Sequence, residues 1–209
     1  MSSVFTTPVV TPLLRGLAKS LLKLSGWRVV PSDRMRPPFV FIGAPHTSNW
    51  DFPLLLASML VLRLDARWLG KHTLFRFPFG TLMRWLGGIP VNRSAAHNRV
   101  AELVQAFAQD PNLVLCIPPE GTRKKVQRWK TGFYRIAHGA GVPIMMTVID
   151  AEGKSLYLLD IFHPTGDIDH DLPIIQRHYV GFRGLRPENA FDFPGLQDDL
   201  AQSEAPSSQ

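Results

Sequence analysis

The sequence predicts an α/β protein with a mainly parallel sheet covered by helices on both faces. Three observations carry that expectation. From Phe39 onward, short apolar runs alternate with longer segments of helical periodicity. The strand-like runs are nearly continuous in apolar residues, the pattern of strands buried on both faces. Finally, 209 residues with 45% apolar side chains can build one core without staples.

The elements follow in order. Thr11 as a cap and Pro12 at the first helical position open a helix through about Leu24. Leu13, Leu17, Leu21 and Leu24 share one stripe, while Arg15, Lys19 and Lys23 lie away from it. Such a basic amphipathic helix suits either packing with a solvated face or contact with a membrane surface. Phe39–Gly43 reads as a buried strand, Asp51–Leu64 as a strongly apolar helix and Ala66–Gly70 as a second strand. Phe79–Leu86 is a weaker helix stopped by Gly87-Gly88, and Ser94 caps a helix running to about Gln109. Leu113–Ile117 is a strand and Gly132–Ala140 a helix. Val142–Ile149 and Leu156–Phe162 form an antiparallel hairpin expected at a sheet edge. Asp167, Asp169 and Asp171 read as a solvated acidic loop. A calcium loop would need Gly where Leu172 stands and Glu where His178 stands. Three regions result: a helical segment over 1–30, the main domain over 31–193, and a polar tail over 194–209 expected to be disordered.

Composition narrows the function. The single cysteine, Cys116, excludes a disulfide scaffold and sits inside an apolar strand, as a core residue does. The longest run free of charges and helix breakers, Leu54–Leu62, is far short of a membrane span. The net charge of +6 divides unevenly. Residues 1–100 hold thirteen Lys and Arg against three acids, whereas residues 101–209 hold ten against fourteen. The basic half suits an anionic partner: nucleic acid, anionic lipid or a phosphorylated substrate. Nucleic acid is disfavoured, because no recognised binding motif is present and the aromatics do not interleave with the basic run. His163, His170 and His178 lack zinc-site spacing, and no metal site is expected.

Two segments follow predicted strands and therefore lie where open α/β sheets bind ligands. In Gly43-Ala-Pro-His-Thr-Ser-Asn-Trp-Asp51, His46 falls in the loop and Asp51 in the first turn of the next helix. Asp51 can then fix the imidazole tautomer and leave the other nitrogen as a base. Ser48-x-x-Asp51 equally resembles a capping box, in which Asp51 satisfies helix amides. The second segment, Pro119-Glu-Gly-Thr-Arg-Lys-Lys125, begins six cations with no acid between Gly121 and Ile149. Backbone amides and a guanidinium there suit a phosphate. A third, Gly87-Gly-Ile-Pro-Val-Asn-Arg-Ser94, places Arg93 just before a helix cap.

With these blocks the sequence resembles the lysophospholipid (glycerol-phosphate) acyltransferase family. The H-x4-D motif matches His46 to Asp51, the G-x-I-x-x-R-like block matches Gly88 to Arg93, P-E-G-T-R matches Pro119 to Arg123, and V-P-[IV] matches Val142 to Ile144. Pro45 stands where many members have Asn. The resemblance implies a glycerol-phosphate acyltransferase-like fold and acyl transfer to the free hydroxyl of a lysophospholipid, most simply 1-acylglycerol 3-phosphate to phosphatidic acid. It implies His46 as general base oriented by Asp51. Arg93 and Arg123 would hold the acceptor phosphate, with Glu120, Gly121 and Thr122 shaping that pocket. Acyl-CoA or acyl-ACP would be the co-substrate, with no cofactor, because a thioester is already activated. An acyl groove is expected among Phe52–Leu64 and the cluster Phe75, Phe77, Phe79, Met83 and Trp85. The implied location is the cytoplasmic face of the membrane, held by the N-terminal helix to an anionic surface, with acyl carrier protein a candidate partner. A non-catalytic lipid-binding protein on the same scaffold is the alternative reading.

Overall fold

The computed structural model describes residues 2–91, 96–194 and 196, the side chains of 96–98 excepted. Seven strands form one sheet: β1 (Arg28–Val30), β2 (Phe39–Ala44), β3 (Ala66–Lys71), β4 (Gly88–Val91), β5 (Val114–Cys116), β6 (Ile144–Asp150) and β7 (Ser155–Phe162). Their spatial order is β1-β7-β6-β2-β5-β3-β4. The five strands from β6 to β4 are mutually parallel, whereas β7 runs antiparallel to β6 and parallel to β1. Among the described residues six α-helices accompany them: α1 (Val10–Ser25), α2 (Asp51–Leu62), α3 (Gly80–Trp85), α4 (Ala96–Gln109), α5 (Gly132–Ala140) and α6 (Ile168–Arg177).

The period-two alternation of strand side chains divides the core in two. Val40, Ile42, Leu115, Ile144, Met146 and Val148 face one layer, packed with Leu103 and Phe107 of α4, Phe133 and Ile136 of α5, and Ile175 of α6. Phe39, Phe41, Val114, Cys116, Met145 and Ile149 face the other, packed with Leu22 of α1 and with Leu54 and Met59 of α2. Both faces are covered, as the nearly unbroken apolar strands required.

Several expectations need correction. The hairpin strand β7 is not the edge, because the three-residue β1 pairs outside it and ends at residue 30. At the other edge, β4 contains Pro90, which removes a ladder donor and is tolerated in an edge strand. The acidic stretch is not a solvated loop. Asp167 caps α6 by accepting from the His170 amide, and Asp171 is fully buried. Its carboxylate accepts from Tyr134 Oη at 2.7 Å and from the Thr165 amide at 2.7 Å, which replaces the water it gives up. Those hydrogen bonds hold its pKa down at about 2 against the opposing effect of desolvation.

The N-terminal helix also departs from expectation. Thr11 is not its cap but lies one residue inside, buried, its hydroxyl donating to the carbonyls of Thr7 and Val4 at 2.7 and 2.9 Å. Ala18 and Leu22 make the buried face, whereas the leucine stripe points outward. Leu13, Leu17, Leu21 and Leu24 are 69%, 53%, 55% and 84% exposed. Arg15 turns inward instead, donating from Nε to the Leu60 carbonyl at 2.8 Å, at the C-terminal end of α2 where a cation is favoured. Lys19 and Lys23 remain exposed. The tail expected to be disordered lies outside the described residues except Pro194 and Leu196.

Candidate active site

Because β2, β5 and β3 are parallel neighbours, their C-terminal ends form one rim. The chain leaves β2 at Ala44 and enters α2 at Asp51, so the loop between them must turn within six residues. Asp51 organises that turn. Its Oδ2, 3.0 Å from His46 Nδ1, also accepts the amides of Thr47 and Ser48 at 2.8 and 2.9 Å. One oxygen therefore orients the imidazole and holds two loop amides; it does not cap the helix, whose N-cap, Trp50, has no side-chain hydrogen bond. Asp51 is 2% exposed, and His46 retains 20% side-chain exposure. A carboxylate on Nδ1 fixes the tautomer with its proton there, which leaves the Nε2 lone pair available as a base.

Glu120 follows β5 and is 3% exposed. Its Oε1 accepts the His46 amide at 3.1 Å, so the second strand end holds the first loop by its backbone. Burial drives the Glu120 pKa up to about 7, partly offset by the backbone amides of Glu120 and His46 and raised further by the Asp51 charge. Its Oε2 is buried and has no hydrogen-bond partner among the described residues, as is Oδ1 of Asp51. Gly121 has φ +64°, a conformation that favours glycine, whereas the atoms a Cβ would meet are only the movable end of the exposed Lys130 side chain. Thr122 and the exposed Arg123 continue along the rim.

One cavity of about 680 Å³ joins these groups. Its polar mouth includes His46, Asn49, Lys71, Gly121, Thr122 and Arg123. Its apolar arm runs between the sheet and α2, lined by Phe41, Phe52, Leu55, Trp68, Met83 and Leu156. The structure thus brings together His46, Asp51, Gly121, Thr122 and Arg123 around the cavity, with Glu120 behind them. Arg93 lies outside the described residues. Of the expected acyl-groove residues, Phe52, Leu55 and Met83 line the arm. Phe77 and Phe79 do not, being 98% and 62% exposed. Cys116 is buried in the strand, and desolvation raises its thiol pKa, which makes it unreactive as a nucleophile.

A set of residues invisible to motif reading supports the loop from behind. The segment 184–189 crosses Thr47: the Arg186 amide donates to Thr47 Oγ1 at 3.0 Å, and Asn189 Nδ2 to the Thr47 carbonyl at 3.2 Å. Gly184, at φ +69°, permits this approach, since a Cβ would stand 2.8 Å from Thr47 Oγ1. Further along, Phe191 and Phe193 pack on Trp129, with centroids 6.2 and 5.6 Å away, so the same segment braces the chain that follows Arg123. Only the Gly and Asn residues hinted at turns here; nothing in their spacing indicated which loop they would meet.

A sequence model of the Acyltransferase family matches residues 24–150, more than half of the chain. The protein belongs to that family, and acyl transfer is the chemistry that family defines. Among solved structures, the chain is similar to the 1-acyl-sn-glycerophosphate (LPA) acyltransferase PlsC from Thermotoga maritima. The TM-score is 0.55 at 18% identity, covering 96% of this chain and 82% of that one. That likeness is one of fold. A comparison with curated protein sequences gives no significant match.

Proposed function

We propose that the protein is an O-acyltransferase that moves a fatty acyl group from acyl-CoA or acyl-ACP to the hydroxyl of a lysophospholipid, 1-acylglycerol 3-phosphate being the leading acceptor. The observation that carries this reading is the His46–Asp51 pair, 3.0 Å apart, at the mouth of a cavity with a polar rim and an apolar arm. An amphiphile with an anionic head and a long chain has that division of chemistry.

In the reaction, His46 Nε2 takes the proton from the acceptor hydroxyl as its oxygen attacks the thioester carbonyl. The tetrahedral adduct collapses, the carbon–sulfur bond breaks, and the leaving thiolate receives the proton from His46. The products are an ester and a free thiol, with no acyl-enzyme and no metal-bound step. Asp51 stabilises the imidazolium formed on the way. Arg123, together with Arg93, holds the acceptor phosphate, a charge-assisted contact suited to guanidinium. Glu120, Gly121 and Thr122 shape the pocket around it.

No helix among the described residues is long and apolar enough to cross a membrane. The outward leucine stripe of α1, flanked by Lys19 and Lys23, supports peripheral attachment to an anionic membrane surface on the cytoplasmic side, where acyl-CoA and acyl-ACP are found. The test is an activity matrix of lysophospholipid acceptors against both thioester donors, read by ester formation and thiol release. His46→Ala should lower turnover by about 10²–10⁴-fold, the usual worth of a general base. Undiminished turnover in that variant would refute the mechanism. Tight lipid binding with no turnover by the wild type would instead favour a binding protein.

A further inference from the structure

Between β3 and α3 the chain passes through a short 3-10 turn, His72–Phe75, and an exposed corner. Phe77 and Phe79 are 98% and 62% exposed, and Leu74 and Leu82 are 48% and 45% exposed. Four large apolar side chains thus face solvent within nine residues, in a segment that is firmly held. Phe75 turns inward onto Trp68, with centroids 5.9 Å apart, and a Cβ on Gly80 would collide with the Phe75 carbonyl. The Gly80 amide donates to the Arg76 carbonyl, and Trp85 Nε1 to Thr7 Oγ1, each at 2.9 Å. Phe77 is therefore presented outward by a packed scaffold.

Two further observations say what such a surface meets. Lys71, Arg76 and Arg84 are exposed around it, and the sequence holds no acid between Asp65 and Glu102. The patch also borders the cavity, since Lys71, Thr73, Leu74 and Met83 line the same space as His46. An apolar surface whose own segment carries only basic charges fits the anionic headgroups and acyl layer of a bilayer.

We propose that residues 74–82 dock the protein on an anionic bilayer, with Phe77 and Phe79 entering the acyl layer beside the cavity mouth. The patch is separate from the α1 stripe and sits at the catalytic entrance. The inference rests on the lipid-acyltransferase reading for its purpose: an amphiphile can pass from bilayer to cavity without exposing its chain to water.

The test uses Phe77→Cys carrying an environment-sensitive fluorophore. Cys116, the only native thiol, is buried and will not compete for label. Emission should shift to the blue with vesicles of phosphatidylcholine and phosphatidylglycerol, and not with phosphatidylcholine alone. Phe77→Asp with Phe79→Asp should weaken partitioning by at least about tenfold, given the transfer energy of a phenylalanine side chain. It should leave melting and turnover of a soluble short-chain acceptor unchanged. The proposal is overturned if vesicle-bound protein shows a water-exposed probe at position 77, or if the double variant partitions like the wild type. It is equally overturned if sedimentation shows a dimer that the double variant dissolves without loss of vesicle binding. Docking is read without turnover, so the two readings fail separately. A probe that enters the bilayer while no lysophospholipid is acylated upholds the surface and refutes the reaction.

Discussion

At the scale of the residue, a histidine serves as a base only when one nitrogen is committed and the other is free. Asp51 meets that condition while also accepting two loop amides. Asp51→Asn should therefore lower kcat by on the order of 10²-fold or more with little change in KM, because a carboxamide NH₂ facing Nδ1 reverses the tautomer. Steady-state kinetics on the leading acceptor would check this. Glu120 makes a different prediction, one of pH. Its folded pKa of about 7 lies above its ordinary value near 4.5, so the fold favours the protonated acid. The resulting stability is fully present below pH 4.5 and lost as pH rises through 7. Glu120→Gln removes this loss, so between about pH 5 and 8 the variant should gain on the wild type by up to on the order of 3 kcal/mol. Urea denaturation at both pH values would measure it. Equal pH dependence would mean that Glu120 stays ionised in the fold.

At the scale of the element, the His46 loop is held from two directions, by Glu120 after β5 and by the segment 184–189 behind Thr47. Gly184→Ala adds a methyl against Thr47 Oγ1 at a positive φ. It should cost about 1–2 kcal/mol of stability. Because the displaced atoms belong to the His46 loop, kcat should fall while KM for the acyl donor changes little. A stability loss with normal kcat would show that the segment merely packs. The His46–Asp51 spacing, the P-E-G-T-R block and most elements of the parallel sheet were legible from residues 39–149. Strand β1 was not, because three residues carry no periodicity. Helix α6 was hidden by three aspartates and by Pro173, whose cost is met through Asp167 at the cap and through Tyr134 and Thr165 around Asp171. The cap assigned to Thr11 failed because the preceding turn, closed by hydrogen bonds to Ser3 and Thr7, lets the helix begin at Val10, two residues before Pro12.

At the scale of the whole molecule, the charge asymmetry acquires addresses. Arg15 is taken up inside the fold, Lys19 and Lys23 border the leucine stripe, and Arg123 stands at the cavity mouth. Attachment to anionic vesicles should therefore weaken as salt is raised from about 0.05 to 0.5 M, because screening shortens the reach of exposed charges. Transfer to a soluble acceptor should respond less. Co-sedimentation and activity measured across the same salt series would separate the two. Vesicle binding indifferent to salt would assign attachment to apolar insertion alone.

The sequence by itself determined the class of fold, the family and the order of the four motif blocks along the chain. Those follow from local periodicity and from spacing along one chain. Tertiary structure alone decided that Asp51 reaches His46 through the same oxygen that holds the loop amides. It alone decided that Glu120 is buried against the His46 backbone, and that residues 184–189 brace the loop. It also turned the leucines of α1 outward, where the pattern left packing and membrane-surface contact both open, and Phe77 and Phe79 outward, where an acyl groove was expected. The physical reason is common to all of these. Each depends on which surface meets which across the sheet, and that choice is made by packing between segments tens of residues apart.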